Sequence, residues 1–275
     1  ICRHGTDNYQ IRVETDEHEY RVRYELKNGR RVKTFEVDGQ KYARLPYRLK
    51  YPIVLFEPED LRIVSGSPQR RRQFLDTLIQ QYDGQYSRIL SRYERALLQR
   101  NKLLKQPDVT RDDLFSWNVM LSEYGAKIIA ERQAVAKYFD ENITEAYRKI
   151  AKNEDEVSIY YSSDENTTSQ QLLSQYEQKF EYDRVTGATS VGPHRHDLQI
   201  DFNGSAAAKV VSRGESRTIV LAVKSLEAKC IEMKTSTIPI ILYDDVLSDL
   251  DKTRKSSLFN NFYNCFVILT SVDRK

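Results

Sequence analysis

Residues 238–251, Ile-Pro-Ile-Ile-Leu-Tyr-Asp-Asp-Val-Leu-Ser-Asp-Leu-Asp, constrain what this chain can fold into more than any other stretch. Ile240, Ile241, Leu242 and Tyr243 form a short apolar run that ends in Asp244 and Asp245. That is how a strand buried on both faces of a parallel sheet reads when it delivers carboxylates at its carboxyl end. Open α/β sheets bind ligands along this edge. Asp244 is suited to hold the water shell of Mg²⁺ beside a nucleotide phosphate, because the ion takes few carboxylates and fills its other positions with water and phosphate oxygens. Asp245 would then face the attacking water. A strand end followed by an acidic turn is the plainer reading of the same two residues.

Composition bounds the classes that remain. With 275 residues, 40% hydrophobic and 30% charged, the chain has ample length for a packed core and reads as a soluble globular protein. No apolar run approaches the length of a bilayer span, and the start, Ile1-Cys-Arg-His, has neither an initiator Met nor a signal-peptide pattern, so it reads as a piece of a longer chain. Cys2, Cys230 and Cys265 are odd in number and far apart, which argues against a disulfide framework or a Cys₄ zinc site and for a reducing cytoplasm. Because 43 basic residues nearly balance 40 acidic ones, affinity for nucleic acid has to come from local clusters.

Alternating apolar residues at 11–13, 20–26 and 32–37, separated by Asn28-Gly29 and Asp38-Gly39, predict an antiparallel meander. A second buried strand is expected in Tyr51-Pro-Ile-Val-Leu-Phe, stopped by Pro58. Ser67 as N-cap and Pro68 at the first helical position start a helix whose first turn holds Arg70, Arg71 and Arg72. Three cations at the positive end of a helix dipole need an anionic partner. DNA, a nucleotide, a carboxylate of another lobe and an internal salt bridge all qualify. The next helix, to about Lys105, carries Arg88, Arg92, Arg95 and Lys102 along one stripe, which suits either a phosphate backbone or a solvated face. Thr110 caps a long helix with a coiled-coil-like seam from Leu114 to Ile150, with Arg132 filling one gap; residues 67–151 are expected to form a helical arm.

Val157-Ser-Ile-Tyr-Tyr reads as a returning strand, followed by a polar helix from Thr167 to about Glu181. His194 and His196 beside Asp197 suggest a metal pair or, with no third ligand, a junction turn. Asn203-Gly204 predicts a hairpin from the strand at 198–202 to one at 208–211. Ser212-Arg-Gly-Glu215 opens another helix, either as a capping box or as an anion site made of a hydroxyl and free backbone N–H groups. Cys265-Phe-Val-Ile-Leu-Thr270 is a last buried strand.

Five of these segments resemble the RecF family of ABC/SMC-type ATPases. They are Val-Leu-Phe-x-Pro-Glu-Asp-Leu at 54–61, Gly-Ser-Pro-x-x-Arg-Arg-x-Phe-Leu-Asp at 66–76, Gly-Pro-His-Arg-x-Asp-Leu at 192–198, Ser-x-Gly-x at 212–215 and Asp-Asp-Val-x-Ser-x-Leu-Asp at 244–251. His196 replaces a family acid, and Glu215 stands where most signatures have Gln. The resemblance implies an α/β ATPase lobe, with a β-meander and a mostly parallel sheet, carrying an inserted helical arm. It divides the chain into 1–66 (ATPase lobe), 67–185 (arm) and 186–275 (ATPase lobe). It makes Asp244 the Mg²⁺ carboxylate, Asp245 the residue facing water, and Ser212, Gly214, Glu215, Ser248 and Asp251 the nucleotide-contacting set. In the other ATPases of this type Thr270's place often holds a switch histidine.

The parent it implies is a slowly hydrolysing, ATP-dependent homodimer. That parent would bind double-stranded DNA at gapped junctions and help load recombinase with RecO and RecR in repair, replication and the SOS response. An SMC-like chromosome-structural ATPase and a non-hydrolysing DNA scaffold are the alternatives. No Gly-x-x-x-x-Gly-Lys-Ser/Thr occurs in the 275 residues. The resemblance places that loop upstream, and the chain alone is expected neither to bind ATP tightly nor to hydrolyse it.

Overall fold

The computed structural model describes residues 5–27, 29–163, 167–244 and 265–270. The chain divides into two compact units, residues 1–51 and 52–275.

The first unit is the expected meander. Strands β1 (Asn8–Glu14), β2 (Glu19–Lys27), β3 (Arg30–Val37) and β4 (Gln40–Tyr42) pair antiparallel in chain order. Asp38 and Gly39 both take positive φ, 50° and 83°, as a two-residue hairpin that matches strand twist requires. Asp38 tolerates this because its carboxylate accepts from the Glu19 N–H at 2.8 Å and pairs with His18 at 2.6 Å. Period-two alternation sorts the faces: Tyr9 lies opposite Tyr24 and stacks on it at 5.1 Å, with Ile11 opposite Val22 and Val13 opposite Tyr20 on the same face.

The second unit is built around one helix. In chain order it contains β5 (Ile53–Phe56), α1 (Arg62–Ser65), α2 (Pro68–Tyr82), α3 (Tyr86–Leu103), α4 (Arg111–Ala151), β6 (Val157–Tyr161), α5 (Ser169–Gln178), α6 (Phe180–Thr186), β7 (Leu198–Phe202), β8 (Ser205–Ala206), α7 (Ala207–Val210), α8 (Arg213–Thr235), β9 (Ile240–Asp244) and β10 (Val267–Thr270). From Thr218 to Ala228 every residue of α8 is buried, so the helix is enclosed on all sides. It packs on β5, α2 and α4. β5 and β10 flank β9 in a parallel sheet of order β10-β9-β5, while β6-β7-β8 is a separate antiparallel sheet.

α3 and α4 run antiparallel, as contacts between Arg92 and Tyr124 and between Arg100 and Asn118 show. Thr110 closes a capping box with Asp113 at the head of α4. The expected seam of Leu114, Leu121, Ile128, Val135, Phe139, Ile143 and Ile150 is buried. α4 also packs on α5, α8 and β6, so the residues read as an arm share one hydrophobic core with the parallel sheet.

Four expectations need correction. β10, expected as a last buried strand, is exposed at Ile268, Leu269 and Thr270, with only Val267 half-buried, so its apolar residues mark a strand without a covered face. β9 is fully buried on one face only: Ile241 and Tyr243 are enclosed with Val54 and Phe56, whereas on the opposite face Ile240 and Leu242 are half-buried and their neighbours Ile53, Leu55 and Ile268 on the flanking strands are 40%, 37% and 46% exposed. An apolar run specifies a strand but not how many of its faces are covered. The Asn203-Gly204 hairpin is present, both residues at positive φ, but its return strand is only Ser205–Ala206 and the expected strand at 208–211 is the short helix α7. Alanines favour helix, and they outweigh the two valines that follow. Ser67 occupies the N-cap of α2 in extended geometry but makes no side-chain cap bond, leaving the helix start to Pro68.

Candidate functional site

Asp244 is the last residue of β9, exposed at the carboxyl end of the parallel sheet. Its Oδ1 accepts a hydrogen bond of 2.7 Å from the hydroxyl of Thr270, which lies directly opposite it on β10. Asp245, Ser248 and Asp251 lie outside the described residues.

Ser212 caps α8. Its hydroxyl accepts from the Glu215 N–H at 3.3 Å, and its own N–H donates to the Glu215 carboxylate at 2.6 Å. Both halves of the capping box are therefore closed. Ser212 remains exposed, Gly214 and Glu215 are half-buried, and the Gly214 carbonyl accepts from Thr218. Any anion approaching this helix end meets the negative charge of the Glu215 carboxylate, which already accepts from the Ser212 N–H. Among the described residues no hydrogen bond joins Ser212 to Asp244.

The three arginines at the head of α2 all have internal partners. Arg70 reaches Glu57 at 3.0 Å. Arg71 holds Asp197 through two bonds of 2.8 and 2.7 Å and donates to the Gly66 carbonyl. Arg72 donates to the His196 carbonyl at 2.6 Å. Together they fasten α2 to the turn after β5 and to the 192–198 segment. Of the readings open for them, the carboxylate partner and the internal salt bridge describe what these side chains do in the fold.

The 192–198 segment is itself a knot of polar contacts. Gly192 has φ 118°, and a Cβ there would lie 2.5 Å from the Tyr176 hydroxyl and 2.6 Å from that of Tyr93, so glycine is required. His194 accepts from Tyr93 at Nδ1 (2.7 Å) and donates from Nε2 to the Thr189 carbonyl (3.0 Å); burial lowers its pKa to about 4, which keeps the ring neutral. Both nitrogens being engaged, a metal role for His194 has no lone pair to use. Among the described residues no group of three or more His, Cys, Asp or Glu side chains is placed to hold a metal ion.

Arg88, Arg92 and Arg95 stand exposed on the outer face of α3, with Arg92 over the Tyr124 ring at 5.9 Å. A further cluster escaped the sequence reading. Lys224 of α8 lies 3.0 Å from Glu227 and 3.5 Å from Asp60, all three buried, and joins α8 to the turn that follows β5. Burial raises the pKa of Asp60 and Glu227, and the Lys224 ammonium opposes that rise. The signal was available: Lys224 and Glu227 are two charges, one turn apart, within the stretch 219–228 whose other residues are apolar or serine.

Across 265 residues, 95% of this chain and 73% of the relative, the sequence is 32% identical to the DNA replication and repair protein RecF of Lachnoclostridium phytofermentans. The chain belongs to the RecF family. RecF of Agathobacter rectalis is 34% identical over 280 residues, covering 98% of this chain and 75% of the relative. A solved structure of the recombination mediator protein RecF with ATPrS, from the RecFOR pathway, superposes with a TM-score of 0.82 at 28% identity, covering 98% of this chain and 76% of that one. No family model matches the chain. Its fold is thus the α/β fold of RecF, an ABC-type ATPase fold, and its family is one of DNA replication and repair proteins. Among the described residues no helix is long and apolar enough to cross a membrane.

Proposed function

We propose that this RecF-family chain supplies the metal-binding strand edge and the signature helix of an ATP-dependent, DNA-binding repair protein. In this reading it dimerises on ATP in the cytoplasm and, with RecO and RecR, helps load recombinase at gapped double-stranded DNA. The observation that carries the reading is the exposed Asp244 carboxylate at the carboxyl end of a parallel strand, the place where α/β sheets bind ligands. Its donor chemistry fits Mg²⁺. The ion needs one or two carboxylates and otherwise water and phosphate oxygens, and Asp244 has one oxygen engaged by Thr270 and one without a described partner. Mg²⁺, when bound, neutralises charge on a phosphate. No phosphate-cradling loop of the Gly-Lys-Ser/Thr kind occurs in these 275 residues, so what they contribute toward ATP is the metal edge and the helix end.

The chain's own groups then have separate tasks. Asp244 holds the metal, Asp245 orients water, and Ser248 and Asp251 serve as nucleotide contacts. Ser212 and Gly214 present the start of α8 to the nucleotide of a second protomer, and Glu215, which holds the Ser212 N–H, sets a negative charge beside the phosphate they meet. Hydrolysis is slow, with Asp245 one methylene shorter than glutamate. Arg88, Arg92 and Arg95 contact the DNA backbone, whereas Arg70, Arg71 and Arg72 position the segments they already hold.

The test uses the full-length gene product. Asp244→Asn is expected to abolish ATP turnover while leaving the circular dichroism spectrum unchanged. Ser212→Arg is expected to prevent ATP-induced dimerisation on gel filtration without preventing ATP binding. Turnover at the wild-type rate in the first variant refutes the metal assignment, and an unchanged dimer in the second refutes the signature role.

A further inference from the structure

Thr270 closes β10 in direct register with Asp244, and its Oγ1 lies 2.7 Å from Asp244 Oδ1 and 3.3 Å from the Tyr243 carbonyl. One hydroxyl has one hydrogen to give. It goes to the carboxylate, because the shorter bond to the charged acceptor is the stronger one. Threonine also suits the task mechanically: its β-branched side chain is stiff about χ1 and fits a strand, so little freedom is lost in making the bond. Aspartate at the exposed end of a strand is otherwise free to turn about χ1 and χ2. With Oδ1 held from the neighbouring strand, the plane of the carboxylate is set, and its second oxygen is the one left to a cation.

We propose that Thr270 is a positioning residue for the Asp244 carboxylate, fixing which oxygen it offers to a divalent cation. The inference rests on the reading of Asp244 as the metal carboxylate. It concerns a hydrogen bond between two strand ends, not a contact with nucleotide. Carboxylates that ligate metals are commonly held by a second hydrogen bond of this kind, and removing such a partner weakens metal affinity by roughly 10- to 100-fold.

Mn²⁺ binding to the full-length gene product, followed by electron paramagnetic resonance with and without ATP, reads this directly. Thr270→Val keeps the shape of the side chain and removes the hydroxyl, and Mn²⁺ affinity is expected to fall about tenfold. Thr270→Ser is expected to restore most of it. If ATP turnover is followed in parallel, Thr270→Val should need more Mg²⁺ to reach half-maximal rate while the rate at saturating Mg²⁺ stays near that of the wild type. Asp244→Asn is the reference. If Asp244→Asn loses Mn²⁺ binding and Thr270→Val does not weaken it, the positioning role is overturned and the metal role of Asp244 stands. If Asp244→Asn binds Mn²⁺ as the wild type does, the metal reading fails and this inference fails with it. If Thr270→Ser is as weak as Thr270→Val, the hydroxyl is not the cause, and that too overturns the inference. Thermal melts of each variant separate loss of metal from loss of fold, and Thr270→Ala replaces the valine variant if that one does not fold.

Discussion

Arg95 and Arg100 belong to the same helix and do opposite things. Arg95, with Arg88 and Arg92, faces outward from α3 and is exposed. Arg100 is fully enclosed, its side chain and that of Asp183 both 0% exposed at 2.8 Å, with Thr189 and Asn118 taking two further donors at 2.8 and 2.7 Å. Arg132 of α4 repeats the pattern, paired through two bonds with Asp76 and donating also to Tyr161 and the Pro193 carbonyl. The guanidinium's fork of five donors allows both uses: inside, it ties several elements at once; outside, most of its donors face solvent, Arg92 spending one on the Tyr124 hydroxyl at 3.3 Å. Arginine content alone therefore says little about nucleic-acid binding in this chain. What matters is whether the donors already have partners.

The largest effect is expected from breaking the interior set. Arg100→Met should cost about 3–5 kcal/mol in urea unfolding, because Asp183 is left buried and unpaired. Replacing both partners, Arg100→Met with Asp183→Leu, should recover much of the loss, since the desolvated charges go together. A double variant as unstable as the single one would show that Asn118 and Thr189, rather than the ion pair, set the penalty.

Next comes acid. His194 sits in the same interior with its pKa lowered by burial to about 4, below the ordinary value near 6.5, so the unfolded chain binds the proton more readily than the folded one. The stability this contributes is complete above pH 6.5 and is lost as pH falls toward 4, by up to about 3 kcal/mol. His194→Gln should be less stable at neutral pH but should lose that part of the acid limb. An equal pH slope in both proteins would place the titration elsewhere.

The smallest effect on stability, and the largest on binding, belongs to the outer set. Arg88, Arg92 and Arg95 changed together to Ala should move stability by less than about 0.5 kcal/mol per site. Their replacement should weaken DNA binding for all sequences alike and make the salt dependence shallower by roughly 0.9 per lost phosphate contact. An unaltered salt slope would make the stripe a solvated face and erase the functional half of the contrast.

The elements legible in the sequence were those specified locally. Asn-Gly and Asp-Gly marked the meander's turns, steps of three and four traced α4, and Thr110 and Ser212 announced helix starts through residues only three positions away. The interior arginines were harder to read because their partners are remote in the chain. Arg100 finds Asp183 and Thr189 across more than 80 residues, and such pairing leaves no periodic trace. Arg132 could be seen to occupy an apolar seam, yet nothing nearby indicated Asp76 as its counter-ion. For the same reason the strand carrying Asp244 was recognisable, while the exposure of its second face and the hydroxyl from β10 were not.

The length of α4 has a mechanical consequence. Its 41 residues form a single rod of roughly 60 Å at 1.5 Å per residue. It packs on α8, and Tyr138 and Glu145 are close enough to Cys230 and Lys229 for their charges to be felt. From there to the Thr110 end is about 45 Å on the same rise per residue. A tilt of only about 5° at the α8 contact would sweep the far end through roughly 4 Å, a gear ratio that turns a small adjustment at the buried helix into a displacement the width of a side chain at the tip.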